Sequence, residues 1–183
     1  MQPNARSSAR RAPAGSALRS ALGRIAITMA LCSTTAQAQT WTTFKSTADR
    51  FEVEFSGNVT TSPTPLGDEA MKRTERSTNY EAGDDPAFAI NATLAKFSIN
   101  FAGGVHDSFA SLKCKTTTND QSLPFPQGQA RTLSGEGCVD GEHSALVRYF
   151  VVDKWFYQVI ALFRPSDEAT ARHFVESFNV LPQ

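Results

Sequence analysis

The sequence is poor in the residues and motifs on which most recognisable enzyme chemistry depends. Its 183 residues include only three cysteines, three histidines and two tryptophans. It has no His-Glu-x-x-His metal motif, no Gly-x-Ser-x-Gly nucleophile elbow and no Cys-x-x-Cys pair. Its densest glycine cluster leads into a predicted strand, whereas phosphate loops lead into a helix. We therefore expect no cofactor, no metal and no catalytic residue, and the sequence predicts a protein that is not an enzyme.

The first 38 residues contain no acidic side chain. They hold five arginines, followed by a short apolar run at residues 25–31 and by Ala36-Gln37-Ala38. This order is typical of a secretory signal peptide that is cleaved between Ala38 and Gln39. The apolar run is far shorter than the roughly 20 residues that cross a bilayer, so we expect no membrane span after processing.

Two other export signals fit the leader less well. Leu31 precedes Cys32 at a position where a lipid-anchor site needs a small residue. Arg10-Arg11 is followed by Ala12-Pro13 and lies far upstream of the apolar run, unlike a twin-arginine signal. We therefore predict an extracytoplasmic protein, periplasmic or secreted, that carries no lipid.

Removal of the leader changes the charge of the chain. The full sequence is formally neutral, but residues 39–183 hold 13 Lys and Arg against 18 Asp and Glu, a net charge of −5. These 145 residues form one domain by length, large enough to bury a core without a metal. Because no basic patch remains, we expect no binding of nucleic acid.

The strongest structural pattern lies in residues 143–163. Two runs rich in β-branched and aromatic residues flank Asp153-Lys154, which predicts an antiparallel hairpin. A two-residue turn places Val152 opposite Trp155 and, further along, Phe150 opposite Tyr157. Both faces of this hairpin are mostly apolar, so it belongs at the centre of a sheet that is covered on both sides.

Weaker patterns predict the remaining elements. Alternation predicts strands at residues 41–45, 51–55, 88–97 and 129–133, and residues 58–68 read as a loop. Residues 70–81 could form a strand or a weak helix, and their low apolar periodicity favours a half-exposed strand. Helical spacing predicts helices over residues 105–118 and from Ser166, as N-cap, to about residue 179. The apolar stripe of the last helix is predicted to be core: Ala171, Phe174, Val175 and Phe178.

Two cysteines remain once Cys32 leaves with the leader. An even pair in an exported chain predicts a disulfide between Cys114 and Cys138. Closing a loop of about two dozen residues stabilises the fold by roughly 3–4 kcal/mol. We expect Cα atoms about 4.4–6.8 Å apart. Reactive redox or nucleophilic thiols are the alternative.

The densest cluster of polar residues is Asp140, Glu142, His143 and Ser144. A periplasmic hydrolase that uses the Asp140–His143 loop is therefore the alternative to a binding function. However, neighbouring residues of a strand point to opposite faces, so His143 and Ser144 cannot easily meet. We favour a solvated loop cluster without a catalytic role.

Three stretches together resemble the PsbP-like proteins. Phe51-x-Val-x-Phe-Ser-Gly57 is similar to the Phe-Val-Phe-Pro-Gly opening of that family, from which it departs at Ser56. The hairpin Tyr149-Phe-Val-Val-Asp-Lys-Trp-Phe-Tyr-Gln-Val159 and the ending Phe174-Val-Glu-Ser-Phe-Asn-Val180 also resemble it. The resemblance spans residues 41–181 and implies an α+β fold: an α/β/α sandwich with a single antiparallel sheet and helices on both faces.

The resemblance also implies a function class. PsbP-like proteins are mostly non-enzymatic accessory or binding proteins, and many bacterial members are exported. The expected partner is a protein or small ligand of the cell envelope. The cysteine pair departs from the family pattern, and no residue here matches a photosystem or metal contact that could be carried over.

Overall fold

The structure, a computed structural model, describes residues 39–182. The predicted leader, residues 1–38, lies outside the described residues. In chain order the elements are β1 (Trp41–Ser46), β2 (Phe51–Ser56), β3 (Thr60–Pro63), α1 (Asp68–Arg73), β4 (Thr74–Ala82), β5 (Ala87–Ala95), α2 (Phe101–Ser111), β6 (Thr116–Leu123), β7 (Gln129–Cys138), β8 (His143–Val152), β9 (Trp155–Phe163), α3 (Glu168–Ser177) and β10 (Asn179–Val180). A short 3-10 turn at Pro165–Asp167 precedes α3.

The larger sheet has seven antiparallel strands in the order β3-β4-β5-β9-β8-β7-β6. The predicted hairpin supplies two of its inner strands, β8 and β9. Val152 pairs with Trp155 and Phe150 pairs with Tyr157, which confirms the predicted register. Each face of the hairpin lies in its own hydrophobic cluster, as expected for strands covered on both sides.

The prediction of a single sheet is wrong, because β1, β2 and β10 form a second sheet of three strands. β2 pairs with β1 along one edge and with β10 along the other. Its side chains Phe51, Val53 and Phe55 are fully buried in the same cluster as Tyr157 of the large sheet. With both edges of β2 already hydrogen-bonded, it packs on the large sheet through these side chains and does not extend it.

Helices lie next to both faces of the large sheet. Phe150 and Val152 of β8 share a cluster with Phe174 of α3, whereas Val147 and Tyr149 share another with the buried residues of α2. Alternation along β8 places these two pairs on opposite faces. The protein is therefore α+β, with a mainly antiparallel framework. Within residues 39–182, no helix has the length and apolar character to cross a membrane.

Several element boundaries differ from the predicted ones. Residues 70–81 hold the end of α1 as well as most of β4, and β3 lies in the predicted loop. Helix α2 spans Phe101–Ser111, and part of the predicted helix over residues 105–118 belongs instead to β6. Ser166 lies in the 3-10 turn, where its hydroxyl donates to Asp167, and it does not cap α3.

Candidate functional site

The two cysteines within residues 39–182 form a disulfide in the structure. Cys114, which follows α2, is bonded to Cys138 at the end of β7, with the sulfurs 2.07 Å apart. Their Cα atoms are 3.7 Å apart, closer than the predicted separation. The backbone N–H of Lys115 donates to the carbonyl of Glu136 at 2.9 Å, and this hydrogen bond holds the two chain segments side by side. The bridge ties α2 to the sheet.

The structure brings together His143 and Asp140 and adds two residues from distant parts of the chain. The Nδ1 atom of His143 lies 2.9 Å from both carboxylate oxygens of Asp140. Its Nε2 atom lies 3.5 Å from Asp85 Oδ1. The other oxygen of Asp85 accepts a hydrogen bond from Arg164 Nε at 2.5 Å. Nothing local in the sequence indicates that Asp85 and Arg164 belong to this cluster.

These contacts favour a charged histidine. The hydrogen bond to Asp140 raises the pKa of His143 above its ordinary value of 6.5, despite an opposing effect of desolvation. The same hydrogen bond is the main reason why the pKa of Asp140 falls to about 2. Both ring nitrogens thus face carboxylates, and each contact favours the protonated form of the ring.

Ser144 is directed away from this histidine. It pairs across the sheet with Phe163 on one side and with Glu136 on the other. With Glu142 and Glu168, it lines a separate cavity of about 400 Å³. The structure therefore does not assemble a Ser/His/Asp arrangement at this loop, where the hydrolase alternative would need one.

His173 takes part in a second contact between a histidine and an acid. Its Nε2 atom lies 2.6 Å from Glu54 Oε2, and its ring lies against Trp41, with centroids 4.2 Å apart. Glu54 projects from β2 and His173 from α3, so this pair joins the small sheet to the last helix. Within the part of the chain that the structure describes, no group of three His, Cys, Asp or Glu side chains could hold a metal ion.

One row of the large sheet is polar from edge to edge. The strand register places seven polar side chains next to one another: Ser62, Asn79, Asn91, Gln158, Tyr149, Arg131 and Ser122. The Asn91 amide donates to Asn79 Oδ1 at 2.7 Å, and that of Gln158 donates to Asn91 Oδ1 at 3.4 Å. Half-buried amides need such partners, and this row supplies them within the sheet.

Next to this polar row lies a cleft of about 680 Å³, which we name the α2 cleft. Its lining includes Arg73, Thr93, Phe97, Gly104, Asp107 and Phe156. The aromatic rings make part of the lining apolar, while two charged side chains add polar groups. Thr93 connects the cleft to the polar row, because its hydroxyl donates to Asn91 Oδ1 at 2.8 Å.

The start of α2 forms one side of this cleft. The side chain of Asn100 caps the helix and accepts a hydrogen bond from the backbone N–H of Gly103 at 3.2 Å. At Gly104 an added Cβ would lie 3.5 Å from the ring of Phe156, so the glycine backbone runs close to that ring. Phe97, in the segment before the helix, is 65% exposed.

The sequence did not reveal this site. The helix predicted over residues 105–118 excludes Gly103 and Gly104, although both glycines lie inside α2. The predicted strand over residues 88–97 includes Phe97, although β5 ends at Ala95. The available signal was a large aromatic residue in a stretch without strand alternation, followed closely by two glycines.

Comparison with known structures identifies the fold. The solution structure of cyanobacterial PsbP (CyanoP) from Synechocystis sp. PCC 6803 is similar to this chain, with a TM-score of 0.54. The match covers 80% of this chain and 95% of that chain, at 10% sequence identity. The fold is PsbP-like. This finding confirms, at the level of the fold, the resemblance seen in the opening strand and the hairpin. No family model and no curated protein matches the sequence.

In this PsbP-like fold the two candidate sites lie at opposite ends of β5. Asp85 of the histidine cluster comes just before the strand, whereas Thr93 of the α2 cleft lies near its other end. The sites share no residue. Substitutions can therefore test them separately.

Proposed function

We propose that this protein is an exported, non-enzymatic accessory protein that binds a ligand of the cell envelope in the α2 cleft. The observation that carries the proposal is the cleft itself. Its volume of about 680 Å³ lies within the range typical of small-molecule sites. Its aromatic lining offers apolar contact, while charged and hydroxyl groups can orient a ligand.

The state of the histidine cluster also supports binding over catalysis. His143 is held between two carboxylates, and Ser144 lines a different cavity. A hydrolase would need a neutral base beside a nucleophile. The PsbP-like fold agrees with an accessory role, and we assign the Asp140–His143 cluster to the attachment of β8 to its neighbours.

The disulfide supports the export part of the proposal. Structural disulfides persist mainly in oxidising compartments outside the cytoplasm. The bond between Cys114 and Cys138 agrees with the signal peptide expected from residues 1–38. We therefore propose cleavage between Ala38 and Gln39 and a periplasmic or secreted location.

Complementation of a strain that lacks the gene distinguishes binding from hydrolysis. We expect His143→Ala to restore the wild-type phenotype and Phe97→Glu to fail, because the new carboxylate places charge in the cleft. Met71→Glu is the matched control: Met71 is also exposed, at 50%, but does not line the cleft. It should complement. A folded His143→Ala protein that fails, beside a Phe97→Glu protein that succeeds, would favour the hydrolase.

A further inference from the structure

We propose that the α2 cleft binds a small zwitterion with apolar side chains, of the chemical class of hydrophobic dipeptides. This inference rests on the proposed binding function and specifies its ligand. It follows from two opposite charges and an aromatic surface that line the same cleft. Arg73 is the last residue of α1, and Asp107 lies in α2.

These two charges are available to a ligand. Within residues 39–182, no hydrogen bond or ion pair joins the Arg73 guanidinium or the Asp107 carboxylate to another side chain, and both residues are exposed. Nearby cations differ from Arg73 in this respect. Lys72 pairs with Glu69 at 2.5 Å, and Arg76 pairs with Asp49 at 2.5 Å.

The chemistry of the two charged groups specifies complementary charges on the ligand. A guanidinium binds a carboxylate through two parallel hydrogen bonds, and a carboxylate accepts hydrogen bonds from an ammonium group. A purely anionic ligand would satisfy Arg73 but would be repelled by Asp107. A purely cationic ligand would satisfy Asp107 but would be repelled by Arg73. A ligand with one group of each sign satisfies both residues.

The rest of the lining specifies the body of the ligand. Phe97, Ile99 and Phe156 offer apolar surface for side chains. The Thr93 hydroxyl donates its hydrogen to Asn91 and lies 2.7 Å from the Ser77 hydroxyl. Its oxygen carries two lone pairs, and the one that does not face Ser77 can accept a hydrogen bond from a peptide N–H. A dipeptide with two apolar side chains supplies these groups together with a free ammonium and a free carboxylate.

Calorimetric titration of the mature protein with L-phenylalanyl-L-leucine tests the inference. We expect the N-acetylated and C-amidated forms of this dipeptide each to bind roughly tenfold more weakly, since each lacks one charged contact. In Arg73→Gln the free acid and the amide should bind equally. In Asp107→Asn the free amine and the acetylated form should bind equally. Lys72→Gln and Asp68→Asn, on the same helix as Arg73, should keep both preferences.

The outcomes separate this inference from the proposed function. Equal affinity of the wild-type protein for all three forms of the dipeptide would overturn the inference of a zwitterionic ligand. It would also be overturned if Arg73→Gln still bound the free acid more tightly than the amide. Absence of dipeptide binding, combined with amide shifts of Thr93 and Phe97 in an envelope extract, would overturn the ligand class and leave the binding function standing. Absence of any response in the cleft to either sample would overturn both.

Discussion

At the scale of single residues, a buried carboxylate attaches the small sheet to the large one. Asp49 is 2% exposed and lies in the turn between β1 and β2. Its carboxylate accepts a hydrogen bond from the Tyr80 hydroxyl and pairs with Arg76 at 2.5 Å. The Tyr157 hydroxyl donates to its backbone carbonyl at 3.0 Å. Burial, with the bond to Asp49, raises the pKa of Tyr80 to about 12, so this phenol stays a donor.

Trp155 supports the same region, and its removal should be costly. The residue is 5% exposed, its ring stacks on Tyr157 with centroids 5.7 Å apart, and the Arg76 guanidinium lies 5.4 Å from its centroid. We expect Trp155→Ala to lower the free energy of unfolding by about 3–5 kcal/mol in urea titrations. Phe97→Ala, at an exposed aromatic residue, should change it by less than about 0.5 kcal/mol. Similar losses for the two variants would contradict the packing described above.

His143 should titrate as a member of an ion pair. By NMR its pKa should lie above 6.5, and Asp140→Asn should lower it, because Asp140 makes the largest contribution to the shift. Because its pKa is raised, His143 stabilises the fold fully below about pH 6.5. This contribution is lost as the pH rises through the pKa of His143 in the folded protein. The lowered pKa of Asp140 stabilises it above about 4 and less as pH falls towards 2.

The pair should therefore stabilise the protein most between about pH 4 and 6.5. A wild-type His143 with a pKa at or below 6.5 would show that the ring is neutral near physiological pH. That result would restore His143 as a candidate general base.

At the scale of elements, predictability followed the amount of buried apolar surface. The β8–β9 hairpin was predictable because its side chains are mostly buried and apolar on both faces. The two strands at the edges of the large sheet escaped prediction. All four residues of β3 are exposed, and β6 is almost entirely polar. Helix α1 buries no side chain, so it lacks the apolar periodicity by which helices are predicted.

The α2 cleft could not be predicted, because its lining comes from separate segments. Arg73, Thr93, Phe97, Asp107 and Phe156 lie in or beside α1, β5, α2 and β9. Only the sheet order β4-β5-β9 brings these segments together. The histidine cluster was half predictable for the same reason: Asp140 is local to His143 in sequence, whereas Asp85 and Arg164 are not.

Two glycines should respond to alanine in opposite ways. At Gly104 an added Cβ would make ordinary contact with the Phe156 ring, at 3.5 Å, and alanine favours helix. We expect Gly104→Ala to raise the free energy of unfolding by up to about 1 kcal/mol. At Gly135 the new Cβ would lie 2.8 Å from the Thr116 carbonyl oxygen, which is too close for a carbon atom. We therefore expect Gly135→Ala to lower the free energy of unfolding. Urea titration measures both, and a loss at Gly104 would mean that α2 packs more tightly than described.

At the scale of the whole molecule, the chain has a PsbP-like fold although its sequence is only 10% identical to that of CyanoP. The sequence features that predicted this fold are packing patterns, such as the alternating Phe51, Val53 and Phe55. Such patterns specify how sheets and helices pack, and they carry no information about chemistry. This explains why the fold was predictable while its division into two sheets was not. The organisation into a leader and one exported domain remains a prediction.

Intact mass tests that prediction. We expect the protein recovered from outside the cytoplasm to begin at Gln39 and to carry no lipid, because residues 36–38 suit signal peptidase and Leu31 does not suit a lipid anchor. The mass should also include one disulfide between Cys114 and Cys138. Retention of residues 1–38, or an acyl group on Cys32, would contradict the predicted processing.

Whether the protein binds through the α2 cleft is tested most directly by mapping amide chemical shifts of the labelled mature protein in an extract of cell-envelope small molecules. We predict saturable shifts at the backbone amides of Thr93, Phe97, Gly103 and Gly104, with the amides of residues 140–144 unchanged. Shifts confined to residues 140–144, together with turnover of the responsible compound, would contradict binding in the cleft and would favour hydrolysis at His143.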